Sequence, residues 1–316
     1  MDTTDLALRA ADALRRLALN EQAQARVRQD PTLSAMLGRV AERYVSGEHL
    51  DSALAAAELA NFAGHAATID YMGESARRPI VAREATQEFV RLTEAIAGRG
   101  LHCSVSLDLS HLGSQIDQKT CRGNAAAVAE ATAHAGIEML ISMEGYGRLD
   151  QILDDHAWLC ERFSHVGVTV QARMHRTERD LPDLLDRPGR IRLVKGAYDT
   201  PAELAYPRTA PELPARFDAL AGALLRSAHP CSIATHDPDR LEHAHIVIGT
   251  EHLEDHPYVF EFLMGIGPEQ RDVMRDHGHP TQEYIVYGDE WFLYVCNRIA
   301  EEPARLYQAV IDAFGG

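Results

Sequence analysis

The chain has only five cysteines among its 316 residues: Cys103, Cys121, Cys160, Cys231 and Cys296. No two form a CxxC pair. An odd, dispersed set builds neither a disulfide framework nor a zinc site, and it fits buried thiols in a reducing compartment. No apolar run approaches the roughly 20 residues of a membrane-spanning helix. The opening stretch, MDTTDLALRAADALRR, lacks the basic-then-apolar order of a secretion signal. These absences point to a cytoplasmic protein with at most peripheral membrane contact. Basic residues are also scarce, 31 against 47 acidic, for a net charge of −16. Nucleic acid requires a basic surface to neutralise phosphates, so it is not an expected partner. Several catalytic signatures are missing as well. There is no GxGxxG after the first apolar run, no GxSxG and no HExxH. Their absence weakens the Rossmann, serine-hydrolase and zinc-protease readings.

What remains is a soluble globular balance, 46% hydrophobic and 25% charged residues. Residues 3–64 read as helical. Leu6, Leu8, Ala11 and Leu14 share one helical stripe, and Leu33, Met36, Leu37 and Val40 share another. A third helix opens in SGEHLDSALAAAELANFAG, with Ser46 or Asp51 as its expected cap. From about residue 66 the pattern changes to short apolar runs: TIDYMGE, CSVSLDLS, IEMLISMEG, VGVTVQARM, IRLVKGAY, CSIATHD, YVFEFLMG and EYIVYG. Each is followed by a stretch long enough for a helix. Continuous apolar runs suit strands buried on both faces of a parallel sheet. Eight strand–helix units over about 250 residues indicate a (β/α)8 barrel. The expected organisation is an N-terminal helical segment, 1–65, and a barrel, 66–316.

Active sites of such barrels lie at the C-terminal ends of the strands. The polar residues there are Glu74, Asp108, Ser142 with Glu144, Gln171, Arg192 with Lys195 and Tyr198, Thr235 with His236 and Asp237, Glu261, and Tyr284 with Tyr287. Any one of them could simply cap a loop. The group in RLVKGAY is harder to dismiss. Arg192 and Lys195, three apart in a strand, point to opposite faces. One must then face the barrel wall or interior, which is costly without an anionic partner. A phosphate-bearing cofactor would be such a partner. The chain also has 16 histidines. A metal-dependent barrel hydrolase would gather them at strand ends, yet only His236 sits squarely at one. Those in LEHAHIV and DHGHP are expected to be solvated.

Read in order, YMGE, VSLDLSHLG, ISMEG, VTVQA, RLVKGAY, ATHD, FEF, YIVYG and YVCNRIAEE resemble the motifs of the proline dehydrogenase family across residues 68–305. The combination of RLVKGAY, a later THD and the closing helix is the specific part. The resemblance implies a distorted (β/α)8 TIM-like barrel preceded by N-terminal helices. It also implies FAD, a small amine or imino-acid substrate, and an electron acceptor, either a quinone or oxygen. On the cofactor side, Met143 and Gln171 match flavin contacts and Arg192 matches the arginine beside the isoalloxazine. Lys195, Gly196 and Ala197 match the cofactor-binding segment after the fifth strand, and Thr235 and His236 the pair after the sixth. On the substrate side, Tyr198, Tyr284, Tyr294 and Glu301 match residues that line the pocket or support the last helix.

The sequence departs from the family at three substrate positions. Asp108 stands where the family has a lysine, Ser142 where it has a catalytic aspartate, and Asn297 where it has the first of two arginines; Arg298 matches the second. One lysine, two arginines and one aspartate sum to plus two in the family, whereas Asp108 and Arg298 sum to zero here. Each charge-assisted hydrogen bond is worth about 1.5–3 kcal/mol. Losing two implies carboxylate binding weaker by about a hundred- to ten-thousand-fold. The resemblance therefore implies amine oxidation with Arg192, Ser142 and Asp108 at the reacting centre. The substrate is expected to be a proline-related or less anionic amine, with proline itself as the alternative. A barrel that binds without catalysis is a third possibility.

Overall fold

A computed structural model describes residues 3–18, 20–73, 75–302 and 305–314. Glu74, one of the strand-end candidates, lies outside the described residues. Eight strands close into one barrel in chain order, and every described neighbouring pair is parallel. They are β1 Ala66–Tyr71, β2 Cys103–Leu107, β3 Met139–Ile141, β4 Val166–Gln171, β5 Ile191–Val194, β6 Cys231–Ala234, β7 Tyr258–Leu263 and β8 Thr281–Tyr287. Each of the eight apolar runs carries one strand. The expected TIM-like barrel is the fold.

The helices that follow the strands are α5 Pro79–Arg99, α6 Gln118–Ala135, α7 Leu149–Cys160, α8 Thr177–Leu185, α9 Leu213–Arg226, α10 Pro238–Glu251 and α11 Pro268–Asp276. Helices α5, α10 and α11 open with proline, whose missing N–H costs nothing in a first turn. Helices α5 and α6 end on left-handed Gly100 and Gly136. Asp237 serves the fold, because its carboxylate accepts the Asp239 N–H at 3.0 Å and caps α10.

The strands alternate rather than being uniformly apolar. Ile69, Val105, Val168, Leu193, Phe260 and Ile285 are fully buried in the core. The residues between them, including Thr68, Asp70, Ser106, Arg192, Glu261 and Tyr284, are joined by hydrogen bonds between strands. A side-chain period of two sends one set outward and the other into the lumen. This lumen is therefore polar.

Ahead of the barrel lie α1 Thr3–Ala18, α2 Glu21–Gln29, α3 Pro31–Ala41 and α4 Leu50–Phe62, and the chain closes with α12 Trp291–Glu301 and α13 Arg305–Phe314. Four helices thus stand where three were read. The break between α2 and α3 falls at Asp30-Pro31, where the Asp30 carboxylate accepts from Thr32 N and Leu33 N at 2.9 and 3.2 Å. Ser46 instead donates its hydroxyl to the Val286 carbonyl, and Asp51 lies inside the first turn of α4. Met1–Ala53 and Val286–Gly316 form one compact unit, and Leu54–Ile285 forms the other. In the first, Ala18, Val27, Phe292 and Cys296 make a buried cluster. Arg43 pairs with Asp312 at 2.7 Å, and Arg39 donates to the Ala313 carbonyl. Among the described residues no helix is long and apolar enough to cross a membrane.

Candidate active site

Arg192 occupies the lumen from β5 and is only 4% exposed. The anionic partner its position demands comes from the chain itself: Nε lies 2.9 Å from Glu261 Oε2 on β7. Nη1 reaches Ser106 Oγ at 3.2 Å and Thr169 Oγ1 at 3.4 Å. The guanidinium carbon stands 5.0 Å from the centre of the Tyr284 ring. Glu261 is equally buried, and its Oε1 accepts the Thr68 hydroxyl at 3.1 Å. Thr68 and Ser104 hydroxyls meet at 2.9 Å, and the Gln282 amide donates to both. The ion pair thus rests on a hydrogen-bonded polar floor, which a pair taken from water needs in order to be tolerated.

A second chain of contacts crosses the lumen toward β3. The Tyr284 hydroxyl donates to the Asp70 carboxylate and lies 3.3 Å from Ser106 Oγ. Ser106 in turn meets the Ser142 hydroxyl at 3.0 Å. Burial pushes the Asp70 carboxyl up to about 7, against the opposing pull of Tyr284 and Arg192. Burial, and then the Asp70 charge, hold the Tyr284 hydroxyl well above the ordinary phenol range. Asp108 lies two residues beyond Ser106, is half-buried, and gives its carbonyl to the His111 N–H.

The residues matched to cofactor contacts sit at the ends of β3 to β6. Gln171 closes β4, and its Nε2 donates to the Glu144 carbonyl at 3.2 Å. Among the residues matched to cofactor contacts, two buried polar atoms have no hydrogen-bond partner: Gln171 Oε1 and Arg192 Nη2. Gly196 has φ +105, and a Cβ there would stand 2.6 Å from Gln171 Oε1 and 2.8 Å from Arg173 Cγ. Here both the backbone conformation and the close approach require glycine. Gly196→Ala should destabilise the fold by about 1–3 kcal/mol. Unfolding in denaturant checks this, and an unchanged midpoint would contradict the geometry.

Lys195 is exposed, with its carbonyl accepting the Arg173 N–H at 3.1 Å. Ala197 gives its carbonyl to Arg208, and Tyr198 gives its own to Arg173 at 2.7 Å. Met143 is buried. Thr235 Oγ1 accepts the Asp237 N–H, and His236 Nε2 accepts the Leu263 N–H at 2.8 Å. The His236 ring proton therefore belongs on Nδ1. Glu144 ties its loop to the one after β2, accepting from Ser110 N at 2.9 Å, and pairs with Arg148.

Tyr294, Asn297 and Arg298 lie on α12 in the other unit. The Arg298 guanidinium stands 5.1 Å from the Tyr294 ring centre and pairs with Glu301 at 2.7 Å. Tyr294 and Arg298 thus share a helix face, as their spacing of four requires. Asn297 is half-buried.

Sequence reasoning missed Asp70, Ser106, Thr68 and Thr169. The available signal was their alternation with apolar residues, as in TIDY and SVSL. It also misjudged His279, which is buried rather than solvated. His279 lies between His245 Nδ1 and the Tyr258 hydroxyl, each at 2.8 Å. Burial, and then the neighbouring His245 and His277, push its ring down to about 4, so it stays neutral. Among the described residues no three His, Cys, Asp or Glu side chains gather in a group able to hold a metal ion.

Comparison with known proteins adds family to fold. The proline dehydrogenase family model matches residues 53–302. Proline dehydrogenase 1 of Bacillus subtilis (strain 168) is 30% identical over 266 residues, covering 84% of this chain and 87% of that protein. The proline dehydrogenase of Deinococcus radiodurans is 29% identical over 270 residues, covering 84% and 86%. Proline utilization A (PutA) from Bdellovibrio bacteriovorus, solved after inactivation by N-propargylglycine, superposes with a TM-score of 0.77 at 17% identity. That match covers 95% of this chain but only 41% of the PutA chain. Bradyrhizobium japonicum PutA gives 0.72 at 19%, with 86% and 32% covered. At such identities the two structures speak for the fold alone. The match over most of the chain, together with relatives of nearly its own length, places it in the proline dehydrogenase family, as a flavoprotein oxidoreductase.

Proposed function

We propose that this protein is an FAD-dependent enzyme that oxidises the C–N bond of a proline-related amine less anionic than proline. The observation that carries the cofactor half is two buried, unpartnered atoms on neighbouring strands: Gln171 Oε1, which crowds the constricted Gly196, and Arg192 Nη2. A planar ring rich in hydrogen-bonding edges fits such a border. Gln171, Met143, Lys195, Gly196, Ala197, Thr235 and His236 would hold FAD, and Arg192 would supply positive charge beside the ring. When bound, the flavin supplies the two-electron sink at its N5. The chain's own task is to place the substrate carbon over that atom and to fix its nitrogen.

On the substrate side we assign Asp108, Ser142, Tyr198 and Tyr284 from the barrel, and Tyr294, Asn297 and Arg298 from α12 by resemblance. The lumen supports a less anionic substrate: its one guanidinium among the hydrogen-bonded residues described above is already paired to Glu261, and Asp70 and Asp108 add acidity. Proline dehydrogenation, to 1-pyrroline-5-carboxylate, is the second reading, favoured by the names of the relatives. Electrons would pass to a quinone or to oxygen. The division into residues 1–65 and a barrel of 66–316 remains our working organisation. Five free cysteines support a cytoplasmic setting.

The test is spectroscopic. Purified protein should be yellow, and an amine should bleach it without air. Pyrrolidine and prolinamide should bleach it more efficiently than L-proline. If L-proline matches every other amine, the altered substrate class is refuted and proline is the substrate. A yellow protein that no amine bleaches would indicate binding without catalysis, and a colourless protein containing zinc would indicate the hydrolase.

A further inference from the structure

Tyr284 is half-buried as a residue, whereas Asp70 is 9% exposed. The phenol and the carboxylate come from adjoining ends of the barrel sheet, β8 and β1. The two groups are hydrogen-bonded, with the phenol donating. The other neighbours of this pair leave the proton path intact. Arg192 approaches from β5 over the ring, but its charge is engaged by Glu261 of β7. From β2 and β3 come Ser106 and Ser142, which carry no charge. Asp70 is thus a carboxyl hydrogen-bonded to Tyr284, with no ion pair of its own among the described residues.

We propose that Asp70 is a positioning residue that acts through Tyr284 as the terminal acceptor for the proton of a cationic amine bound in the lumen. This rests on the reading of the protein as an amine-oxidising flavoenzyme. An amine arrives as an ammonium ion, and its nitrogen lone pair must be free before the adjacent C–H can be oxidised. One proton moves from the ammonium nitrogen to the Tyr284 oxygen as the Tyr284 proton moves to an Asp70 carboxylate oxygen. The ammonium becomes a neutral amine, the carboxylate becomes a carboxylic acid, Tyr284 ends unchanged, and total charge is conserved. Asp70 can accept only as a carboxylate. Its position near 7 puts the acceptor form just above neutrality. The rate should therefore rise with pH through about 7 and level off above it.

The experiment compares the wild type with Asp70→Asn, Asp70→Glu and Tyr284→Phe. The infrared difference spectrum on adding pyrrolidine reports carboxyl protonation directly and does not depend on turnover. Visible absorption reports flavin content, and anaerobic bleaching gives the rate against pH. The wild type should gain a carboxylic-acid band on binding pyrrolidine and show the rising limb. Asp70→Asn should keep its flavin, lose both band and limb, and bleach about a hundredfold more slowly just above neutrality. Asp70→Glu should restore the limb, which a purely structural role would not. A band and limb that survive in flavin-loaded Asp70→Asn overturn the proposal. If that variant does not fold, Tyr284→Phe breaks the same path, and survival of the limb there is equally decisive. Should the wild type bind no flavin, the parent reading falls, and the infrared band alone decides for or against Asp70.

Discussion

Arg192→Met is expected to destabilise the protein by about 3–5 kcal/mol, and adding Glu261→Gln should recover most of that loss. The single change strands a carboxylate that is 2% exposed, with the Thr68 hydroxyl as its remaining partner among the described residues. An uncompensated buried charge accounts for that magnitude. In the double variant both charges are gone, and the glutamine amide can still accept from Thr68. Replacing a buried pair by neutral groups of similar size is often nearly neutral in stability. Arg192→Lys separates charge from shape. It keeps the positive charge against Glu261 but lacks the fork that also reaches Ser106 and Thr169, so it should fall between the other two. Denaturant unfolding of all three variants measures this. Equal stability of the single and double variants would mean that the pair is not an energetic unit.

The same ion pair marks the limit of what the sequence makes legible. Eight apolar runs separated by helix-length stretches gave the barrel, because buried parallel strands have few other homes. The proposed cofactor positions rest on local signals, since they cluster at strand ends in short contiguous motifs such as RLVKGAY. The interior does not. Serine, threonine and tyrosine suit strands as well as apolar residues do. TIDY and SVSL therefore looked like wall, although every second residue faces the lumen. Partners across a barrel are also far apart in the chain. Tyr284 and Asp70 are separated by 214 residues, and Arg192 and Ser106 by 86. No local pattern predicts such a pairing, and it is this pairing that turns a carboxyl in an apolar run into a candidate proton acceptor. A phosphate-bearing partner is expected for whichever of Arg192 and Lys195 faces inward; Arg192 is the one, and Glu261 supplies the charge from within the fold. His279 follows the same rule. Its loop looked solvated, but Tyr258 and His245 enclose it.

Asp108→Lys combined with Ser142→Asp and Asn297→Arg should shift selectivity toward L-proline over pyrrolidine by about a hundred- to ten-thousand-fold. Two restored charge-assisted hydrogen bonds to a carboxylate are worth about 3–6 kcal/mol, which sets that range. Of the two barrel positions, Ser142 belongs to the hydrogen-bonded lumen network. Ser142 meets Ser106 at 3.0 Å, and Ser106 stands 3.3 Å from the Tyr284 hydroxyl. Ser142→Asp alone brings a second carboxyl toward the one already at Asp70, and two like charges raise each other's proton affinity. That single variant should bind L-proline no better than wild type. Asp108→Lys alone removes one negative charge and adds a positive one two residues beyond Ser106, so it should give the largest single gain. The difference between the combined gain and the sum of the separate ones measures the coupling between these positions. Dissociation constants for L-proline and pyrrolidine, measured from flavin spectral shifts without turnover, test this directly. No gain for L-proline in the triple variant would show that these positions do not set the charge of the substrate. A gain from Asp108→Lys alone would place the selectivity of this barrel at the end of β2.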